Sequence, residues 1–409
     1  SLFNRCTDHV DYEAIEGYQI TSEIYFQQEA DYDAALVGTY DVLQWLFFNI
    51  QLGAIASEIT LCGGESATDY IGIQQIDDMT HYPENNVLRQ IWQFLYEGVN
   101  RANYMEENKA NIDFEGKEAM YGEVYFLRAY YYFELVKFFG DVPLFTEARL
   151  TAGQAGTLTR TPKDEVYAQI ELDLQNAIAS LPNSQSQVGR VNKYTAHALL
   201  GKVLLYQDKF AEAASALDNV IGVYSLVSDY GSQFLRFGEN GTESVFEIQY
   251  SNQSNWYDWG CAHCSEGNYA IIMNGPRGWS GPEYAQGWSF NVPTEEFYNS
   301  FEEGDSRRDA TVLDIEAFAA ATGASYTEGY DHTGYFNNKY IPRAGESGGQ
   351  TELNYLTNFR IIRYSDVLLM AAEAYNRGGI DDGLAQEFLN QVRRLSLIHI
   401  SEPTRQPII

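Results

Sequence analysis

Tryptophan and tyrosine, with polar side chains between them, make the densest chemistry-bearing stretch of the sequence. Trp256, Tyr257, Trp259, Tyr269, Trp279, Tyr284 and Trp288 fall within 33 residues and include four of the six tryptophans. Asn255, Asp258, Glu266, Asn268, Asn274 and Arg277 lie among them. Ring faces stack on the C–H faces of a hydroxyl-rich ligand, and amide, carboxylate and guanidinium groups hydrogen-bond its rim. The competing reading is a small core that holds a Gly-rich loop in shape. From this cluster, Trp256, Trp259, Asn268, Arg277, Trp279, Tyr284 and Trp288 are expected to contain the ligand platform. A second polar stretch runs from Cys62-Gly63-Gly64-Glu65 through Asp69-Tyr70 to His81-Tyr82. It reads either as a binding loop or as a solvated turn.

Other motifs point away from catalysis. Cys261-Ala262-His263-Cys264 offers half of a zinc site, but no second ligand pair is evident and no thioredoxin-like βαβ pattern surrounds it. A strained vicinal-type disulfide or two ordinary thiols fit better. Gly345-Glu346-Ser347-Gly348-Gly349 matches G-x-S-x-G, yet a nucleophile elbow needs a strand before it and a helix after it. The surroundings here are a Gly-rich loop. With 57 carboxylates, chance acid pairs are inevitable, and no segment marks the two that a glycosidase would place across one bond. No catalytic residue, metal site or cofactor is expected.

Bulk composition narrows the class. A chain of 409 residues with 45% hydrophobic residues can bury a large core. A formal charge of −31 repels phosphate backbones and anionic lipid, so nucleic acid is not an expected partner. Four cysteines are too few for a disulfide scaffold. No apolar run is long enough to span a bilayer. The first residue is not Met and no intact signal peptide precedes the helices, so the chain is expected to be trimmed or incomplete at its start.

The elements that must position these residues are mainly helical. Helical periodicity runs over 31–48, 84–108 and 117–139, the last stopping at Gly140 with Pro143 beyond. Residues 61–82 read as a loop. Thr161-Pro162 opens another helix, with Thr161 as N-cap and Pro162 in the first turn, and it ends near Leu181-Pro182. Lys193 to Val220 reads as two short helices hinged at Asp208-Lys209-Phe210. Ala198, Gly201, Ala213 and Ala214 sit where the pair must approach closely, and larger residues fill between, a tetratricopeptide-like pattern. A second such pair is expected over 362–394, hinged at Gly378-Gly379. Between the pairs helical periodicity fades, and Val245 to Tyr250 alternates like a strand. The expected fold is mostly α: a tetratricopeptide-like helical repeat scaffold (31–224 and 361–394) carrying an irregular, aromatic-rich insertion (225–360).

Four segments, in order, resemble the SusD/RagB family of nutrient-binding outer-membrane lipoproteins. They are Trp92 to Asn103, ending Asn100-Arg101-Ala102-Asn103; Phe126-Leu127-Arg128-Ala129-Tyr130-Tyr131-Tyr132-Phe133 with its exit Phe139-Gly140-Asp141-Val142-Pro143-Leu144; Phe301 to Asp309; and Arg363 to Met370 followed by Ala372-Glu373-Ala374. The resemblance implies one SusD-like domain over 31–394 after an N-terminal lipoprotein and linker segment (1–30). It implies that the 62–82 loop supplies polar ligand contacts, with Asp69 and Tyr70 foremost. It also implies a surface-exposed lipoprotein of the outer membrane in a Bacteroidota-type bacterium, passing a captured glycan to a SusC-like TonB-dependent transporter without acting as an enzyme. The alternatives are peptide capture of the RagB type or, less in keeping, glycoside hydrolysis. Cys6 would carry the lipid, although Arg5 stands where such a site usually has a small residue. Residues 395–409 resemble a translated sequencing adapter and are expected to be a non-native tail.

Overall fold

The computed structural model describes residues 25–254, 259–348 and 353–396. The elements up to the first helix pair are α1 (Glu29–Gln44), α2 (Phe48–Ile55), β1 (Thr60–Gly63), α3 (Ile71–Asp77), α4 (Asn86–Glu107), α5 (Lys117–Phe139), a short α6 (Ala152–Ala155), α7 (Lys163–Ser180), α8 (Lys193–Leu205) and α9 (Phe210–Asp218). The insertion contributes β2 (Ser244–Ile248), α10 (Ala270–Met273), β3 (Arg277–Ser280), β4 (Phe290–Pro293), α11 (Glu295–Asn299), α12 (Arg307–Thr311), β5 (Val312–Asp314), α13 (Ile315–Thr322), β6 (Ser325–Thr327), β7 (Tyr335–Asn337) and β8 (Phe359–Arg363). Two helices close the described chain, α14 (Tyr364–Arg377) and α15 (Asp382–Ser396). Among the described residues no helix is long and apolar enough to cross a membrane.

The scaffold is a stack in which α1, α4, α5, α7, α8, α9, α14 and α15 each pack on the next. This is the expected mostly helical repeat fold. Helix α5 lies at its centre and is buried on nearly every side from Tyr121 to Val136. Its most buried charge pair ties it to its neighbours: Arg128 Nε and Nη2 reach Asp173 of α7 at 2.8 and 2.7 Å, and Nη1 reaches Asn103 Oδ1 of α4 at 3.0 Å. The residues that carry the family resemblance in α4 and α5 thus lock three helices together. Close approach of α8 and α9 depends on Gly201, where a Cβ would stand 2.5 Å from the Leu217 side chain.

Most helix ends follow the sequence reading. Asn85 and Asn192 cap α4 and α8 by accepting two backbone N–H bonds each. Three details differ. The predicted helix over 31–48 breaks after Gln44 and restarts at Phe48. Trp45, Leu46, Phe47 and Phe48 are all buried across this break. Thr161 does not cap α7; it exchanges backbone bonds with Val142, and Asp141 accepts from the Lys163 N–H at 2.8 Å instead. The 61–82 loop contains β1 and α3, the latter anchored by buried Ile73 and Ile76.

The insertion leaves and re-enters the stack through one clasp. Strand β2 pairs antiparallel with β8, so the ends of the insertion are tied together and α14 follows directly onto α9. A second antiparallel pair, β1 with β4, ties the loop after α2 to the middle of the insertion. Gly63 permits that approach: its φ is +72°, and a Cβ there would lie 2.2 Å from the Ser289 carbonyl oxygen.

Candidate functional site

The β1–β4 junction shapes a cavity of about 580 Å³. Its floor is apolar, with Phe47 from the α1–α2 break, Tyr269 and Met273 from the α10 region and Phe290 at the start of β4. Tyr70 and Trp288 add aromatic walls that are only partly buried, and Gln90 reaches in from α4. Its rim is charged. Arg277 Nη2 pairs with Asp69 Oδ2 at 2.9 Å, Nη1 faces Glu65 at 3.8 Å, and Nε donates to the Trp288 carbonyl at 2.9 Å. Asp69 Oδ2 also accepts the Glu65 backbone N–H at 2.8 Å. The guanidinium therefore joins a loop near residue 69 to a strand 208 positions later in the chain.

Tyr70 sits at the N-cap of α3 with φ 51° and ψ 57°, a left-handed conformation that costs a bulky residue on the order of 1–2 kcal/mol. Its ring meets Phe290 edge-on with centroids 6.3 Å apart. Burial pushes its hydroxyl up to about 12, so it stays protonated at neutral pH and can donate a hydrogen bond. An apolar floor, two half-buried rings and a rim carrying both donors and acceptors can hold a ligand with C–H faces and hydroxyl edges. No nucleophile–base pair is assembled there among the described residues.

Four residues singled out from sequence meet here: Asp69, Tyr70, Arg277 and Trp288. Others lie elsewhere. Asn268 is 1% exposed, and its amide donates to the Thr357 carbonyl at 2.8 Å, so it braces the insertion. Trp279 and Tyr284 belong to a satellite core with Leu313, Ile315, Phe336 and Ile341, packed around Phe318 at 6.0 and 5.1 Å. For these two rings the loop-core reading describes the packing. Trp256 and Cys6 lie outside the described residues, as does the side chain of Trp259. Phe47, Gln90, Met273 and Phe290 were not anticipated; only the run of aromatics over 45–48 and the alternation over 288–292 hint at them. Cys261 and Cys264 form a disulfide. Ser347 sits in an irregular loop, and among the described residues the next helix begins at Tyr364.

Residues 57–205 match the family described as starch-binding and associating with the outer membrane, and residues 308–394 match the SusD family. A solved laminarin-binding SusD-like protein is 36% identical, with a TM-score of 0.83 over 91% of this chain and 85% of its own. The chain belongs to the SusD-like family. Surface glycan-binding protein A from Bacteroides thetaiotaomicron, solved in complex with laminarihexaose, is 27% identical with a TM-score of 0.81 over 92% of this chain and 85% of its own. SusD-like protein P2 of Formosa agariphila is 29% identical over 91% of this chain and 76% of its own length.

Proposed function

We propose that the protein captures a glycan at the cell surface without changing it covalently and passes it to a SusC-like TonB-dependent transporter. The observation that carries this reading is the cavity at the β1–β4 junction, where Tyr70 and Trp288 face a rim set by the Asp69–Arg277 pair. Stacking supplies most of the contact, and the rim fixes the orientation of the hydroxyls. Two relatives named for laminarin or laminarihexaose make laminarin the first glycan to try. In the same reading the protein sits on the outer membrane, held by a lipid on Cys6.

Affinity electrophoresis through gels containing laminarin and a panel of other polysaccharides tests the proposal. Retardation by at least one polysaccharide, abolished by Trp288→Ala, is the expected result. Migration unchanged in every gel, together with retention of a mixed peptide library, would replace glycan capture with peptide capture. Release of new reducing ends from any polysaccharide would show turnover and overturn a purely binding role.

A further inference from the structure

The Cys261–Cys264 disulfide closes a loop of only four residues and has no part in the cavity described above. A ring so small lies at the low end of what a crosslink contributes by restricting the unfolded chain. Its surroundings suit chemistry better than bracing. Cys264 is exposed and Cys261 is partly buried, so solvent reaches one sulfur more readily than the other. His263 places its imidazole on the less accessible sulfur, with Nε2 at 3.4 Å and Nδ1 at 3.8 Å from Cys261 Sγ. The ring is held there by two aromatic contacts, to Trp45 at 4.9 Å and to Phe94 at 5.1 Å between centroids. Those partners belong to the rigid scaffold: both are buried, and Arg101 of α4 lies over the Trp45 ring at 4.7 Å.

We propose that Cys261–Cys264 is a thiol–disulfide exchange site for small thiols. A thiolate attacks Cys264 Sγ, and the new sulfur–sulfur bond forms as the Cys261–Cys264 bond breaks. The electron pair leaves on Cys261 Sγ, the partly buried sulfur that lies against the His263 ring. A second thiolate attacks the thiol-derived sulfur of the mixed disulfide and releases Cys264. Two small thiols are oxidised to one disulfide, the protein disulfide is reduced, and the two thiol protons end on Cys261 and Cys264. Cys62 serves as an internal control, because burial raises its thiol pKa well above the ordinary value and closes it to solvent.

The test uses the full chain and reduced glutathione at neutral pH, with acid quenching, alkylation and peptide-level mass spectrometry. The expected first product is a glutathione adduct on Cys264, followed by alkylation of both Cys261 and Cys264 while Cys62 stays unmodified. An adduct on Cys261, or a disulfide that resists millimolar glutathione for hours, would overturn the proposal.

Discussion

Replacing Arg128 by Met should be among the most damaging single changes in the scaffold. The side chains of Arg128 and Asp173 are 5% and 1% exposed, so solvent cannot take over their charges. Arg128→Met removes both bonds to Asp173 and the bonds to Asn103 Oδ1 and the Thr146 carbonyl. Asp173 would keep only the Gln169 amide, at 3.0 Å. Leaving one member of a buried pair uncompensated costs about 3–5 kcal/mol, a large share of an ordinary domain's stability. Arg128→Met with Asp173→Leu removes the stranded charge as well. The remaining loss is two carbonyl acceptors without a donor, on the order of 1 kcal/mol each, and the bond from the half-buried Gln169 amide, which water can replace. The double variant should therefore be more stable than Arg128→Met alone by roughly 1–3 kcal/mol. Urea unfolding followed by tryptophan fluorescence measures all three proteins. An Arg128→Met loss below about 1 kcal/mol, or a double variant no more stable than the single, would refute this account of why the motif residues matter.

Gly201→Ala should destabilise by about 1–3 kcal/mol through overpacking against Leu217, read as a lowered thermal midpoint. Asp69→Ala should weaken glycan binding about tenfold by releasing Arg277, while stability changes by less than about 1 kcal/mol, because the paired side chains are 30% and 24% exposed. Calorimetric titration and urea unfolding separate the two effects. Burial, then Lys193, lowers the pKa of His197 below its ordinary 6.5. The folded state thus binds this proton less readily than the unfolded state. The contribution of His197 is complete above about 6.5 and is lost as pH falls through the lowered folded value. The stability of His197→Gln relative to wild type should therefore rise between pH 7.5 and 5, and a constant difference would count against the assignment.

How far the sequence reveals the molecule depends on the range over which its signals act. The hinge at Asp208, the stop at Gly140 and the Gly378-Gly379 break are local, and each appears where helical periodicity and turn chemistry put it. The break at residues 45–48 carries no such local signal, since Trp45, Leu46, Phe47 and Phe48 continue the apolar run with no glycine, proline or capping residue among them. In the insertion, Trp279 and Trp288 look alike in sequence. What separates them is long-range. Trp279 meets Phe318 and Tyr284 in the satellite core, whereas Trp288 precedes the strand that pairs with Thr60–Gly63. Neither partner leaves a local trace. Asn268 shows the same effect: an amide suited to a ligand rim is spent on the Thr357 carbonyl, 89 residues away.

Isothermal titration calorimetry with laminarihexaose, run on wild type, Tyr70→Ala, Trp288→Ala and Trp279→Ala, tests the central claim most directly. The account predicts binding to wild type, loss of at least tenfold in affinity for the Tyr70 and Trp288 variants, or about 1.4 kcal/mol, and near-wild-type affinity for a folded Trp279→Ala. Affinity that survives both cavity changes but disappears with Trp279→Ala would contradict it and move the site to the other side of the insertion.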